Sequence, residues 1–151
     1  SDTRTDVPST RTRAWRGAEI PAVNGHGNAR SIAAIQTILA TGGVANGQRI
    51  MSEAGCRRAL EVQIDGPDLV MRGISVRFGL GYGLPSPILS LVPPNPNTLF
   101  WSGGGGAFVL IDTDARMTFA YAMNRMHRGL VGDARSFRII RAMWRALGMT
   151  P

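Results

Sequence analysis

Between residues 98 and 123 the sequence reads TLFWSGGGGAFVLIDTDARMTFAYAM, and this block restricts the possible folds more than any other. Residues 98–102, 107–112 and 116–123 are rich in the β-branched, aromatic and aliphatic side chains that suit strands. The joints between them, GGGG and DTDA, are far shorter than a parallel crossover requires. The three runs are therefore expected to be neighbouring antiparallel strands, the last two closed by a tight hairpin turn. FVLI is apolar at successive positions, so both faces of the middle strand should be buried. The glycines, Gly103 to Gly106, are the anomaly. Glycine packs nothing and loses the most backbone freedom on folding. Something must approach this backbone closely, or bend it, to justify four in a row.

Upstream, the hydrophobic spacing is helical. In NARSIAAIQTILATGG, Asn28 is a candidate N-cap. Ile32, Ile35, Ile38 and Leu39 form an apolar face, and Gly42 with Gly43 ends the helix. Asn46-Gly47 marks a turn, and Ser52 with Glu53 opens a second short helix to about Leu60. From Ser75, Val76, Phe78, Leu80 and Tyr82 alternate with Arg77 and three glycines, a strand pattern through residue 84. PSPILSLVPPNPN is a proline-rich loop. After the sheet, a helix over 133–147 places Phe137, Ile140, Met143, Trp144 and Leu147 on its buried stripe, with Gly148 as its cap. Residues 1–27, punctuated by Pro8, Gly17, Pro21, Gly25 and Gly27, read as irregular. The order implies an α+β fold, an antiparallel sheet of about four strands flanked by helices. Too little helix remains to cover the second face of that sheet well, so part of a larger fold is expected to be missing.

Composition narrows the functional classes. The 151 residues fit one domain, and 44% hydrophobic against 18% charged is a globular balance. The net charge is +7, and every basic residue is arginine. That charge fits nucleic-acid binding, but the arginines are scattered, aromatics do not interleave with them, and no nucleic-acid motif is present. No nucleic-acid partner is expected. Without lysine, lysine-based chemistry is excluded within the chain. The single cysteine, Cys56, permits no internal disulfide and no cysteine-based zinc site. Arg57 and Arg58 would lower its thiol pKa, yet its setting reads as packing on a short helix. His26 and His127 lack metal-ligand spacing, so neither metal nor other cofactor is expected. No apolar run reaches the roughly 18 residues of a membrane span. The opening SDTRTDVPSTRTR is polar and lacks an apolar signal core, and it is expected to be an interior or processed piece of a longer chain.

Bare glycine N–H groups stabilise an oxyanion or cradle a phosphate, while glycines also serve as bulges or close packing points. A phosphate loop needs strand, loop and helix in that order, usually with a lysine. Here strand leads to strand, and lysine is absent. The oxyanion and packing readings both remain open on the residues alone.

The block TLFWSGGGGAFVLIDTDARMTFAYAMNRM resembles the strand pair near the C-terminus of the serine β-lactamase/penicillin-binding-protein superfamily, and most closely its family VIII carboxylesterase branch. IPAVNGHGNARSIAAIQTILATGGVANGQRIMS and RFGLGYGL are similar to preceding segments of that family, so the resemblance covers roughly residues 15–148. It implies that this chain is the C-terminal portion of the enzyme, with residues 1–27 from its helical subdomain and 28–151 from its layered domain. Trp101 takes the position of the Lys in a Lys-Thr-Gly type motif, Ser102 that of the Thr, and Gly103 that of the Gly. The N–H of Gly104 would then be the second oxyanion-hole donor, with Trp101, Ser102, Gly103 and Gly105 at the substrate. The family's Ser-x-x-Lys nucleophile motif and Tyr base are absent here; Tyr82 and Tyr121 both fall in strands. The resemblance thus implies a partner, the N-terminal portion of the same enzyme, and no activity for this chain alone. Uncharged Trp101 cannot hold a substrate carboxylate, which favours short-chain neutral esters. The alternatives are a β-lactamase or D-Ala-D-Ala carboxypeptidase-type hydrolase, or a non-catalytic module of the same fold.

Overall fold

The computed structural model of this chain describes residues 9–21, 23–86, 88–89, 91, 93–127 and 131–149. Residues 1–8 of the segment expected to be irregular, and Pro87, Ser90 and Val92 of the proline-rich loop, lie outside the described residues. The remainder of the first segment is not wholly irregular. A 3-10 turn (Ser9–Arg11) leads into helix α1 (Arg13–Gly17), where the Thr12 side chain accepts from the Trp15 N–H.

Helix α2 (Ala29–Ala40) begins where Asn28 indicated. The Asn28 Oδ1 accepts from Ser31 N–H at 2.9 Å, and the Ser31 Oγ accepts from Asn28 N–H at 3.0 Å, a reciprocal capping box. Strands β1 (Val44–Ala45) and β2 (Gln48–Arg49) then form a small hairpin around Asn46 and Gly47. Both turn residues have positive φ, 50° and 77°, as a type I′ turn requires. Helix α3 (Glu53–Arg58) starts at Ser52, whose Oγ accepts from Gly55 N–H at 3.0 Å.

The sheet has two parts. Strands β3 (Ile64–Asp68) and β4 (Ile74–Phe78) form an antiparallel hairpin. Strands β5 (Thr98–Ser102), β6 (Phe108–Asp112) and β7 (Met117–Tyr121) form an antiparallel meander in that order, with Leu99 opposite Ile111 and Leu110 opposite Phe119. Gly83 joins the two parts. Its N–H donates to Phe100 O at 2.8 Å, its carbonyl accepts from Phe100 N–H at 2.9 Å, and it also bridges Phe78.

Two sequence expectations change here. Strand β3 was hidden by Gly66 and Pro67. It pairs only with β4, and on such an edge a proline's missing N–H costs little; Asp65 faces Arg77 across the hairpin with Nε to Oδ2 at 2.9 Å. The strand expected over 75–84 stops at Phe78. Gly79 N–H reaches Tyr82 O at 2.9 Å and closes a turn with Gly81 at φ 79°. Those glycines are turn residues rather than the small partners of a strand alternation.

Both faces of the central strands are covered, as the FVLI run indicated, although too little helix was expected for the second face. On one face Leu99 and Ile111 pack with Leu39 and Ala40 of α2 and with Cys56 of α3. On the other, Phe100, Phe108 and Leu110 pack with Phe137, Ile140 and Trp144 of helix α4 (Ala134–Ala146). Leu99, Phe100, Leu110 and Ile111 are each 0% exposed, and each stabilises the fold by about 1.5–3 kcal/mol. Leu147, expected on the buried stripe, is the residue after α4 and is exposed; Ile35 on α2 is exposed as well. At the DTDA turn the buried Asp112 carboxylate accepts from Asn95 Nδ2 and from Ala115 N–H, both at 2.8 Å. No helix among the described residues is long and apolar enough to cross a membrane.

Candidate active site

The four glycines form the turn between β5 and β6, and they divide into two pairs. Gly105 and Gly106 are buried at φ 97° and 107°, conformations that favour glycine. A Cβ on Gly105 would meet Met126 Cε at 2.7 Å, and one on Gly106 would meet Asp133 Oδ2 at 2.4 Å. Packing inside this chain therefore accounts for both. Gly105, expected at the substrate, faces the protein interior, and its carbonyl accepts from His127 N–H at 2.8 Å. Gly103 and Gly104 are exposed and lie outside the positive-φ range. A Cβ on Gly104 would meet nothing within 4 Å. Nothing within the described residues requires glycine at that position; the space in front of it is open.

The direction of the Gly104 N–H follows from the bonds around it. Gly103 N–H donates to Ala107 O at 3.0 Å, and Gly106 N–H donates to Gly103 O at 3.3 Å. The Gly103 carbonyl is thus drawn into the turn. In a planar trans peptide the N–H points opposite to the C=O, so the Gly104 N–H points out of the turn. It makes no hydrogen bond among the described residues.

Gly103, the residue before Gly104, lines an apolar hollow of about 260 Å³ that is also bounded by Trp101, Ser102, Val109, Tyr121 and, from α2, Ile32. The structure thus brings three of the expected site residues together at one wall. Trp101 is half-buried, with its ring centroid 4.9 Å from that of Phe78 and 6.2 Å from that of Phe100. Gly83 permits this arrangement, since a Cβ there would lie 2.9 Å from Phe100 Cζ and 3.1 Å from Trp101 Cε3. Tyr121 and Ile32 were not singled out as site residues. Strand alternation puts Tyr121 on a definite face, but only the fold reveals that α2 brings Ile32 to the same hollow.

Other titratable groups have different uses. A larger hollow of about 490 Å³ lies at the far end of the β5–β6 hairpin, among Leu39, Cys56, Leu60, Asn97 and Asp114. Burial pushes the Cys56 thiol up despite nearby Arg49 and Arg57, which makes it a poor nucleophile. Burial also raises Tyr82, whose hydroxyl donates to Gln36 Oε1 at 2.6 Å. Asp133 is held at about 2, chiefly by the Arg135 guanidinium and then by the N–H groups of Arg135 and Ser136, against the opposing effect of burial. Among the described residues no cluster of three or more His, Cys, Asp or Glu side chains is placed to hold a metal ion.

With this geometry in view, the sequence matches the Beta-lactamase family over residues 1–142. The chain belongs to the Beta-lactamase family. Its structure is similar to that of a family VIII carboxylesterase at TM-score 0.81 and 41% identity, covering 88% of this chain and 35% of that one. It is also similar to a novel penicillin-binding protein homologue from Caulobacter crescentus at TM-score 0.81 and 32% identity, covering 90% of this chain and 36% of that one. No curated protein matches the sequence. The chain spans about a third of the length of these two neighbours. The helix-flanked antiparallel sheet is thus the β-lactamase-type α+β fold, whose superfamily members are serine hydrolases.

Proposed function

We propose that this chain forms the glycine-strand side of a carboxylesterase active site and supplies its second oxyanion-hole donor, the Gly104 N–H. The observation that carries the reading is that amide: without a hydrogen bond among the described residues, turned out of its turn, and next in the chain to Gly103, which lines an apolar hollow. The 41% identity to a family VIII carboxylesterase supports the substrate class.

In this reading a preceding portion of the polypeptide brings a Ser-x-x-Lys segment and a tyrosine. Residues 1–27 belong to its helical subdomain and 28–151 to its layered domain. The serine Oγ attacks the ester carbonyl carbon while its proton passes to the Lys–Tyr pair. The new C–O bond drives the carbonyl electrons onto oxygen, and that oxyanion accepts from Gly104 N–H and from the nucleophile's own N–H. Collapse of the intermediate expels the alcohol, which takes the proton back. Water then attacks the acyl-enzyme in the same manner and releases the acid. The ester lies along Gly103 and Gly104 as an added strand would, with its acyl or alcohol group against Trp101, Val109 and Tyr121. Trp101 is an uncharged aromatic wall, which favours neutral short-chain esters over carboxylate-bearing β-lactams.

The penicillin-binding-protein homologue supports a second reading, hydrolysis of β-lactams or D-Ala peptides. A polypeptide carrying this chain and the Ser-x-x-Lys segment, assayed with p-nitrophenyl acetate beside nitrocefin, separates the two. Turnover of the ester with little of nitrocefin is expected. Preference for nitrocefin would reverse the assignment, and no turnover of either would leave a non-catalytic module.

A further inference from the structure

Gly103 is held only by the two backbone bonds of the turn and Gly104 by none among the described residues, and glycine peptides reorient readily. The turn behind them is held from outside. Asp133 is the N-cap of α4, and its Oδ1 accepts from Arg135 N–H at 2.8 Å and Ser136 N–H at 3.3 Å. That leaves Oδ2 for the Arg135 guanidinium, with Nε at 3.0 Å and a second close contact from Nη2. The same Oδ2 packs against Gly106 where a Cβ would otherwise be, and the Asp133 side chain is only 6% exposed. Arg135 continues outward. Its Nη1 donates to Arg125 O at 2.7 Å, its Nη2 reaches Gly105 O at 3.5 Å, and its Cζ lies 6.0 Å from the centre of the Tyr121 ring. One carboxylate and one guanidinium therefore join the start of α4, the segment after β7, and the last two residues of the glycine turn.

We infer that Asp133 and Arg135 are positioning residues for ester hydrolysis. They hold Gly105 and Gly106 so that the Gly106 N–H stays on Gly103 O and the Gly104 N–H stays aimed at the reacting carbonyl. The inference rests on the reading of Gly104 as an oxyanion donor. Neither residue touches the substrate; each acts through the backbone of the turn. Displacing an oxyanion donor by about 1 Å is enough to slow chemistry up to roughly a hundredfold.

The test uses the full polypeptide carrying this chain and the nucleophile segment, with p-nitrophenyl acetate as substrate and amide hydrogen exchange at Gly106 as a second measurement. Arg135→Ala is expected to lower kcat about tenfold or more with KM changed less than about threefold, and to speed Gly106 exchange. Arg135→Lys keeps the charge without the planar fork and is expected not to restore kcat. Asp133→Asn keeps a good helix cap while losing the ion pair, so it reports on the clamp if Arg135→Ala folds poorly; it is expected to follow Arg135→Ala. Arg138→Ala, one exposed position further along α4, is expected to leave kcat unchanged. An inactive parent protein would overturn the esterase reading and this inference with it. An active parent whose Arg135→Ala and Asp133→Asn variants keep both kcat and Gly106 exchange would overturn the inference alone.

Discussion

Replacing Gly106 by alanine is expected to destabilise the fold, whereas the same change at Gly104 is not. At Gly106, φ is 107° and the new Cβ would lie 2.4 Å from Asp133 Oδ2 and 3.1 Å from Arg135 Nη2. Holding a non-glycine residue in such a conformation costs on the order of 1–3 kcal/mol. The clash cannot be relieved without moving a carboxylate that caps α4 and binds Arg135, and each charge-assisted bond so weakened contributes about 1.5–3 kcal/mol. The lower entropy of the unfolded alanine chain returns only about 0.4–1 kcal/mol. The net expectation is a loss of roughly 2–4 kcal/mol, read from urea unfolding midpoints of the full polypeptide at unchanged m-value. Gly104→Ala meets open space and no positive φ, so its midpoint should match the parent within about 0.5 kcal/mol. Equal stability of the two variants would refute the division of the four glycines into a packed pair and an open pair.

Other consequences follow from the same contacts. Asp133 is held at about 2 against an ordinary value of 3.8, mainly by the Arg135 guanidinium. Because its folded pKa is depressed, its contribution of about 2 kcal/mol is complete above pH 4 and fades as pH falls towards 2; acid unfolding of Asp133→Asn should lack that part of the pH dependence. Gly83→Ala would press a Cβ to 2.9 Å from the fully buried Phe100 ring and should cost about 1–3 kcal/mol by overpacking, which thermal unfolding measures. Residues 1–151 purified without the preceding portion should show no turnover of p-nitrophenyl esters, since the chain carries no lysine for a Ser-x-x-Lys motif; measurable ester turnover by the isolated chain would refute the division of the active site.

Much of the fold was legible because local signals agreed with tertiary ones. Asn28, Asn46-Gly47, Ser52 and Asp133 each carry side-chain or turn chemistry that acts within a few residues, and each sits where its element begins or turns. The meander was legible because its joints are too short for any other connection. Strand β3 was not, since Gly66 and Pro67 break a strand pattern that an edge position tolerates, and the glycines after Phe78 imitated an alternation while making a turn. At the site, the anomaly of Gly103 to Gly106 was plain, but not that two of the four answer to packing. That distinction depends on Asp133, Met123 and Met126, which the fold brings to the turn from outside it. Likewise Arg135 reads from sequence as one more arginine on a helix, because the two carbonyls it reaches, of Arg125 and Gly105, lie on other segments of the chain.

The acylation rate of Gly104→Pro in the full polypeptide tests the central claim most directly. Proline removes the N–H, and since that group makes no hydrogen bond among the described residues, its removal costs the fold no backbone bond. The expected result is a fall of about 10²–10³ in the single-turnover rate on p-nitrophenyl acetate, with the unfolding midpoint close to that of the parent. A folded Gly104→Pro variant that acylates within about threefold of the parent would contradict the assignment of this amide to the oxyanion.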